Sequence, residues 1–234
     1  VLVGRSIGIH QRNAILNDML LFGVGGASSA ANSNTTLGRI GLGYLYTDFQ
    51  PQVSWTLPGM NGLGGSFGAQ IGIFDPKDVI ADTANFGATD KHAPRVEAVI
   101  SYDTSIADLG INLWVDGTYQ NTARNATEAL NIEGTETAGA ETNDNDVDSA
   151  GVGFGTALSY QGFKLVASGF YAHGLGMRGQ HSVGPITGTT TTAASATGAL
   201  DDAGKERKTY GGYIQGTYDF GQGTSVGYSY GGNY

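Results

Sequence analysis

Residues 94–103 read PRVEAVISYD, and along this stretch apolar and polar side chains alternate with a period of two. Val96 and Ile100 fall on one side, whereas Arg95 and Glu97 fall on the other. Successive side chains of a β-strand point to opposite faces of its sheet. This stretch therefore predicts a strand with one apolar face and one polar face.

The same period recurs in five further stretches, at residues 66–74, 111–120, 151–160, 163–172 and 209–220. In all six stretches every charged residue lies on the polar side. Each predicted strand is about ten residues long, the length that a tilted strand needs to cross a bilayer. Aromatic residues gather near the strand ends, and the polar sides are rich in Gly, Ser, Thr, Asn and Gln. This combination favours a lipid-facing side and a water-filled lumen over the packed interior of a soluble sandwich.

Composition excludes several other classes of protein. Charged residues make up 14% of the 234 residues, below the roughly 25% of an average soluble domain. No stretch of the sequence approaches the about 20 consecutive apolar residues of a membrane helix. The lack of cysteine excludes disulfides and thiolate metal sites. The net charge of −9 argues against a nucleic-acid partner, because binding phosphates requires clustered Lys and Arg.

The connections between predicted strands are alternately long and short. The long ones cover about 8–36, 75–92, 121–148 and 174–207, and the short ones about 58–64, 104–109, 161–162 and 221–223. Transmembrane barrels have long loops on one side of the membrane and tight turns on the other. The pattern predicts an all-β fold, a transmembrane antiparallel β-barrel, with nine strands in a single domain over residues 1–234.

One predicted strand contains a change of parity. The apolar residues from Ile40 to Tyr46 have even numbers, whereas those from Val53 to Leu57 have odd numbers. A β-bulge shifts the parity by one, so we predict a single strand over 38–57 with a bulge between Asp48 and Pro51. Two strands joined by a turn are the alternative, but they would disturb the alternation of long and short connections.

Two features of the N-terminal region bear on function. Residues 4–8 match the G-x-S-x-G pattern of a hydrolase nucleophile elbow, but that fold needs a parallel sheet with alternating helices. Hairpins follow here instead, and a short match arises easily by chance among 39 glycines. We therefore expect Ser6 not to be catalytic, the chain not to be an enzyme, and no cofactor.

In the long connection at about 8–36, four apolar residues have the spacing of a short amphipathic helix: Ile15, Leu16, Met19 and Leu20.

Two stretches resemble the general porins of Gram-negative bacteria: VLVGRSIGIHQRNAILNDMLLFGVG at 1–25 and VSWTLPGMNGLGGSFGAQIGIF at 53–74. The resemblance implies that the loop at about 8–36 folds inward and narrows the barrel. It also implies a bacterial outer-membrane homotrimer, surrounded by lipid and lipopolysaccharide, through which ions and small hydrophilic solutes diffuse passively. Such porins have sixteen strands and usually a terminal Phe that this chain lacks, so the nine strands are expected to be part of a larger barrel.

The resemblance also directs attention to charges at the constriction. From the loop and its base we nominate Arg5, Arg12 and Asp18. From the wall we nominate Arg39, Arg95 and Glu97, all with the polar-side parity. Opposed charges at a constriction select solutes by size and charge. The alternative for each residue is an ordinary lumen charge or a charge at the end of the helix, and no strong ion selectivity is expected.

A weak calcium candidate lies in the acidic connection. Asp144, Asp146 and Asp148 alternate like the start of an EF-hand loop, but Ser149 and Gly155 stand where that loop needs Gly and Glu. A solvated acidic loop is the favoured interpretation.

Two alternative functions remain: a substrate-specific outer-membrane channel, and a structural or adhesive β-rich surface protein. The substrate-specific channel would need a ladder of aromatic or charged side chains along the lumen, and Trp114 and Phe170 are only two such residues.

Overall fold

The computed structural model describes residues 1–21, 38–77, 89–91, 93–124, 146–177, 179–180, 198–199 and 206–234. Within these residues the chain is all-β, with one antiparallel sheet and one short helix. The elements in chain order are β1 (Leu2–Ile7), α1 (Arg12–Asn17), β2 (Phe49–Thr56), β3 (Met60–Gly62), β4 (Gly65–Phe74), β5 (Thr89–Asp90), β6 (Arg95–Ile106), β7 (Leu109–Arg124), β8 (Asp146–Tyr160), β9 (Phe163–His173), β10 (Lys208–Gly221) and β11 (Thr224–Asn233). No helix among the described residues is long and apolar enough to cross a membrane.

The nine longer strands follow one another across the sheet in the order β1-β2-β4-β6-β7-β8-β9-β10-β11. This is the up-and-down order that the sequence predicts, with every neighbour antiparallel. The short strands β3 and β5 pair with β4 and β7. In the part of the chain that the structure describes the sheet is open, and β1 and β11 are its two edges. The nine strands do not close into a barrel by themselves, and the larger barrel expected from the sequence stays a prediction.

Tight turns join the strands at one end of the sheet, as the sequence predicts. In three hairpins the two turn residues both have positive φ: Leu63 and Gly64, Gln161 and Gly162, and Gln222 and Gly223. Two such residues define a type I′ turn, whose twist matches that of the flanking strands. Glycine in the second position adopts this conformation without steric strain.

The two faces of the sheet differ sharply, and their assignment confirms the predicted parity. On the outer face the apolar side chains are exposed: Val53, Trp55, Ile71, Ile73, Ile100, Leu113, Val115, Val152, Phe154, Leu165, Tyr171, Ile214, Tyr228 and Tyr230. On the inner face polar side chains are buried: Gln50, Gln52, Ser54, Arg95, Glu97, Asp116, Thr118, Gln120, Ser149, Thr209 and Gln215. The inner face is thus covered by other parts of the chain, whereas the outer face is bare.

The prediction of one strand over 38–57 is wrong in its first half. Strand β2 begins only at Phe49, directly after Asp48, which has a φ of 60°. Residues 38–48 form turns that pack on the inner face, where Tyr44 is buried edge-on against Tyr213 with 6.0 Å between ring centroids. Gly43 has a φ of 142°, a conformation that interrupts an extended strand and favours glycine. The apolar alternation in this stretch therefore reflects packing against the sheet rather than strand pairing.

The predicted helix is present but shorter than the amphipathic pattern suggests. It spans six residues, and Gln11 before it has a φ of 64°. Ala14 and Ile15 are buried, whereas Leu16 is exposed. One hydrophobic cluster lies between the inner face and the residues that cover it, and contains Ile9, Ala14, Ile15, Leu21, Tyr44, Phe74, Val99, Trp114, Val166 and Tyr213. A further cluster contains Leu45, Phe170, Ala172 and Leu175.

Candidate functional site on the inner face

Residues 8–21, here called the inner segment, cross the inner face of the sheet. The first part bonds to β6 and β7, and the last part bonds to β9 and β10. The inner segment therefore lies on the polar face of the sheet, and the narrowing of a barrel by this loop stays a prediction.

Glu97 on β6 holds the beginning of the inner segment. Its Oε2 accepts hydrogen bonds from the backbone N–H groups of Ile9 at 2.6 Å and His10 at 3.0 Å. Its Oε1 lies 3.1 Å from Nε of Arg95 and accepts a bond of 2.9 Å from Nε2 of Gln180. Both side chains of the Arg95–Glu97 ion pair are completely buried. Strand β6 thus carries a buried ion pair whose carboxylate also binds the inner segment.

Asp116 on β7 holds the next two residues. Its Oδ1 accepts a hydrogen bond of 2.9 Å from the backbone N–H of Gln11 and lies 2.6 Å from Nδ1 of His10. The His10 and Asp116 side chains are both completely buried. We call His10, Glu97 and Asp116 the first anchor of the inner segment.

The far end of the inner segment is held by uncharged groups on β10. Tyr213 donates its hydroxyl to the carbonyl oxygen of Ala14 at 2.7 Å. The amide of Gln215 accepts from the backbone N–H of Met19 at 2.8 Å and donates to the carbonyl oxygen of Asn17 at 2.9 Å. We call Tyr213 and Gln215 the second anchor. Beside it, Lys164 on β9 donates its ammonium to Oδ1 of Asn17 at 2.8 Å.

Asp18 ends the helix and connects the inner segment to residues 38–48. Its Oδ2 accepts from the backbone N–H of Arg39 at 3.0 Å and from the hydroxyl of Tyr44 at 2.8 Å. Its Oδ1 accepts from the N–H of Leu20 at 3.0 Å. Burial, reinforced by the Asp18 carboxylate, raises the pKa of Tyr44 well above its ordinary value, so the phenol stays protonated.

The nominated cations occupy different environments. Arg12 is half-buried at the first position of α1 and donates to Oε1 of Gln70 on β4. Burial lowers the pKa of Arg12, and the carboxylates of Glu97 and Asp116 oppose that shift. Arg39 was nominated from the wall, but it lies in the turns before β2 and not on a strand of the sheet. It is buried and donates to the hydroxyl oxygen of Ser229 on β11 at 2.7 Å and to the carbonyl oxygen of Leu42 at 2.9 Å.

Arg5 is a correction to the nominated set. The pairing of β1 with β2 sets Arg5 opposite Pro51 and Val3 opposite Val53, so Arg5 lies on the outer face. It is exposed and donates its Nε to the carbonyl oxygen of Phe49 at 3.1 Å. The inner face therefore collects Arg12, Asp18, Arg39, Arg95 and Glu97, but not Arg5.

Ser6, which belongs to the G-x-S-x-G match at residues 4–8, does not have the geometry of a nucleophile elbow. Ser6 lies inside β1, opposite Gln50 of an antiparallel neighbour, and the strand continues to Ile7. A nucleophile elbow instead places its serine at the turn between a strand and a helix.

Five further residues of the site were missed from sequence. Four of them carry the inner-face parity, which was the available signal: Asp116, Lys164, Tyr213 and Gln215. His10 has no such signal, because its role depends on a contact with a residue 106 positions away.

The structure describes two of the three calcium candidates. Asp144 lies outside the described residues. Asp146 and Asp148 lie at the start of β8, and Oδ1 of Asp148 accepts bonds from Tyr119 at 2.8 Å and Asn121 at 3.0 Å. Among the described residues there is no group of three or more His, Cys, Asp or Glu side chains suited to a metal ion.

Comparison with known proteins adds no relative to this description. No protein-family model matches the chain, and neither the curated proteins nor the solved structures contain a match.

Proposed function

We propose that this chain forms the wall and the constriction of a bacterial outer-membrane porin. The pore is a water-filled channel through which ions and small hydrophilic solutes diffuse passively. The observation that carries the proposal is the reversed polarity of the sheet, with apolar side chains exposed outside and polar side chains buried inside. An exposed apolar surface that extends over many strands is unfavourable in water, but matches the hydrocarbon of a bilayer.

Strand length and aromatic placement support the same environment. The strands β7, β8 and β10 have 16, 15 and 14 residues, more than the 9–11 or so that a tilted strand needs to span a bilayer. Aromatic rings pair near strand ends, with Phe67 against Tyr102 at 4.6 Å and Phe163 against Tyr218 at 4.3 Å between centroids. Such rings favour the membrane–water interfaces.

The proposal requires that the two edge strands of the sheet be paired in the membrane. Unpaired backbone groups are not tolerated in lipid, so the free edges of β1 and β11 must be paired in the membrane. We include in the proposal a barrel closed by additional strand pairing, and a homotrimer embedded in outer-membrane lipid and lipopolysaccharide.

The inner segment gives the proposed pore its constriction. It crosses the inner face and carries the partly exposed charge of Arg12, with Lys164 beside its far end. The neighbouring acids Glu97 and Asp116 are buried and occupied by hydrogen bonds. Permeation is therefore limited by the space beside this segment, with modest discrimination by charge.

Conductance in a planar bilayer tests the proposal. The intact protein, extracted in detergent, is added to a bilayer under a salt gradient. We expect stable current steps, in groups of three if the channel is a trimer, with a small reversal potential. Folded protein that inserts into the bilayer without passing current would overturn the channel function.

A substrate-specific channel is the second candidate, and one cavity favours it. The cavity has a volume of about 300 Å³ and lies between α1 and the turn ends of β6–β9. Its lining includes the carboxylate of Asp103 and the ammonium of Lys164, each hydrogen-bonded to an amide side chain, Asn112 and Asn17. A block of the current by one solute class, saturating at low concentration, would favour this candidate over general diffusion.

A further inference from the structure

We propose that His10 is a positioning residue: through the first anchor it holds the inner segment against β6 and β7 and thereby sets the aperture of the pore. This inference rests on the proposed channel function. It assigns the position of the constriction to the buried contacts of the first anchor, to which the inner segment contributes the His10 side chain, rather than to the charges that face the lumen.

The first anchor binds three consecutive backbone N–H groups, those of Ile9, His10 and Gln11. Both acceptors, Glu97 and Asp116, belong to the sheet and not to the inner segment. Hydrogen bonds to ionised carboxylates are shorter and stronger than those between neutral groups. The position of this part of the inner segment is therefore specified by the wall.

His10 is the only side chain of the inner segment in the first anchor. A carboxylate can only accept, so Nδ1 of His10 carries the proton that faces Asp116. Among the described residues Nε2 of His10 has no hydrogen-bond partner. Among these residues the imidazole therefore makes its hydrogen bond, the one to Asp116, through Nδ1.

The imidazole occupies space left by a glycine of β8. A Cβ placed on Gly151 would lie 2.9 Å from Nε2 of His10 and 2.6 Å from Cδ1 of Leu175. Alanine at this position would therefore crowd both Leu175 and His10 without removing any hydrogen-bonding group. Gly216 on β10 has no atom within 4 Å of an added Cβ and provides a matched control.

The second anchor is independent of the first. Tyr213 and Gln215 hold Ala14, Asn17 and Met19 through uncharged groups. Loss of the first anchor should therefore leave the far end of the inner segment in place while its beginning moves. The expected result is a channel that still conducts, with a fluctuating current rather than a stable one.

The test compares two isosteres of histidine. The amide nitrogen of Asn reaches the position of Nδ1, whereas that of Gln reaches the position of Nε2. We expect His10→Asn to keep a quiet open channel, and His10→Gln to increase the variance of the open-channel current several-fold. Gly151→Ala should act like His10→Gln, and Gly216→Ala should behave as wild type.

A second measurement separates this inference from the proposed function and from misfolding. Hydrogen exchange in detergent micelles reports protection of the amides of residues 9–11 whether or not the protein conducts. We expect protection to be lower than in wild type in His10→Gln and Gly151→Ala, because the inner segment loses its side-chain bond to Asp116 while the carboxylates stay in place. Protection should be unchanged in His10→Asn, with the amides of the sheet protected in all variants. Equal protection of residues 9–11 in His10→Gln and wild type would overturn the inference. A silent wild type with the expected exchange pattern would overturn the channel function, and with it the role in the aperture, but would support the role of His10 in positioning the inner segment.

Discussion

At the residue scale, the inner face encloses an ion pair. Arg95 and Glu97 are completely buried, and Arg95 also lies over the ring of Phe74, with 5.1 Å from Cζ to the centroid. Removing one member of a buried ion pair is strongly destabilising, because the remaining charge is left without compensation. The integrity of the pair should therefore matter more for stability than any exposed charge of the same strand.

We predict that Glu97→Gln lowers the free energy of unfolding by about 3 kcal/mol, since it leaves the Arg95 guanidinium buried without a carboxylate. Asp103→Asn is the matched control, because Asp103 is an exposed acid on the same face of β6 and should contribute less than about 1 kcal/mol. Urea unfolding of the detergent-solubilised protein measures both values. Similar losses in the two variants would contradict a special role for the buried pair.

A second prediction at this scale concerns Tyr44. Its raised pKa means that the folded state binds the phenolic proton more tightly than the unfolded state. The stabilising contribution is therefore complete below pH about 10, the ordinary tyrosine pKa, and declines as the pH rises further. We expect wild-type stability to fall more steeply between about pH 10 and 12 than that of Tyr44→Phe.

Unfolding measured across that pH range checks the Tyr44 prediction. Tyr228→Phe is the control, because Tyr228 is 76% exposed on the outer face, and it should keep the wild-type slope. Parallel slopes for wild type and Tyr44→Phe would refute the prediction.

At the element scale, α1 depends on its surroundings. Its six residues are too few for a stable isolated helix, because nucleation is costly and few hydrogen bonds follow. No acidic residue lies in its first turn and no basic residue in its last, so charge does not favour its ends. The two anchors and the core around Ile15 must therefore supply its stability.

We predict that a peptide of residues 8–21 is unstructured in water by circular dichroism, while the same residues are protected from hydrogen exchange in the intact protein. The peptide Gly65–Phe74, a single strand without its neighbours, is a control that should also be unstructured. A helical spectrum for the peptide of residues 8–21 would show that local propensity, not the sheet, forms α1.

At the scale of the whole molecule, the porin proposal depends on whether the outer face lies in lipid or in water. Val115 lies near the middle of β7 and is 54% exposed, whereas Ile106 lies at the turn end of β6 and is 66% exposed. In water both positions should tolerate a charge. In a bilayer a charge at mid-depth costs about 2–4 kcal/mol and one near the interface about 0–1 kcal/mol.

We therefore predict that Val115→Lys destabilises the protein in lipid vesicles by about 2 kcal/mol or more, and that Ile106→Lys has little effect. Unfolding titrations in vesicles measure the difference. If both substitutions were equally mild, the outer face would not lie in hydrocarbon, and the porin proposal would lose its main support.

Much of the sheet follows from the sequence alone. The period of two assigns the inner and outer faces of β4 and β6–β10, and the long and short connections predict their order. Both signals are local, because the alternation of side chains and the chemistry of a tight turn depend on neighbours within a few residues. The same local rule failed for residues 38–48, where apolar alternation comes from packing on the sheet.

The sequence by itself determined which side of each strand is apolar, that hairpins follow one another, and that a short helix follows β1. Only the tertiary structure decided where β2 begins, that Arg5 faces outward, and that His10 meets Asp116. The physical reason is distance along the chain, since these outcomes depend on strand pairing and on contacts such as that between residues 106 positions apart. No periodicity records such a contact, because it exists only after the inner segment has docked on the sheet.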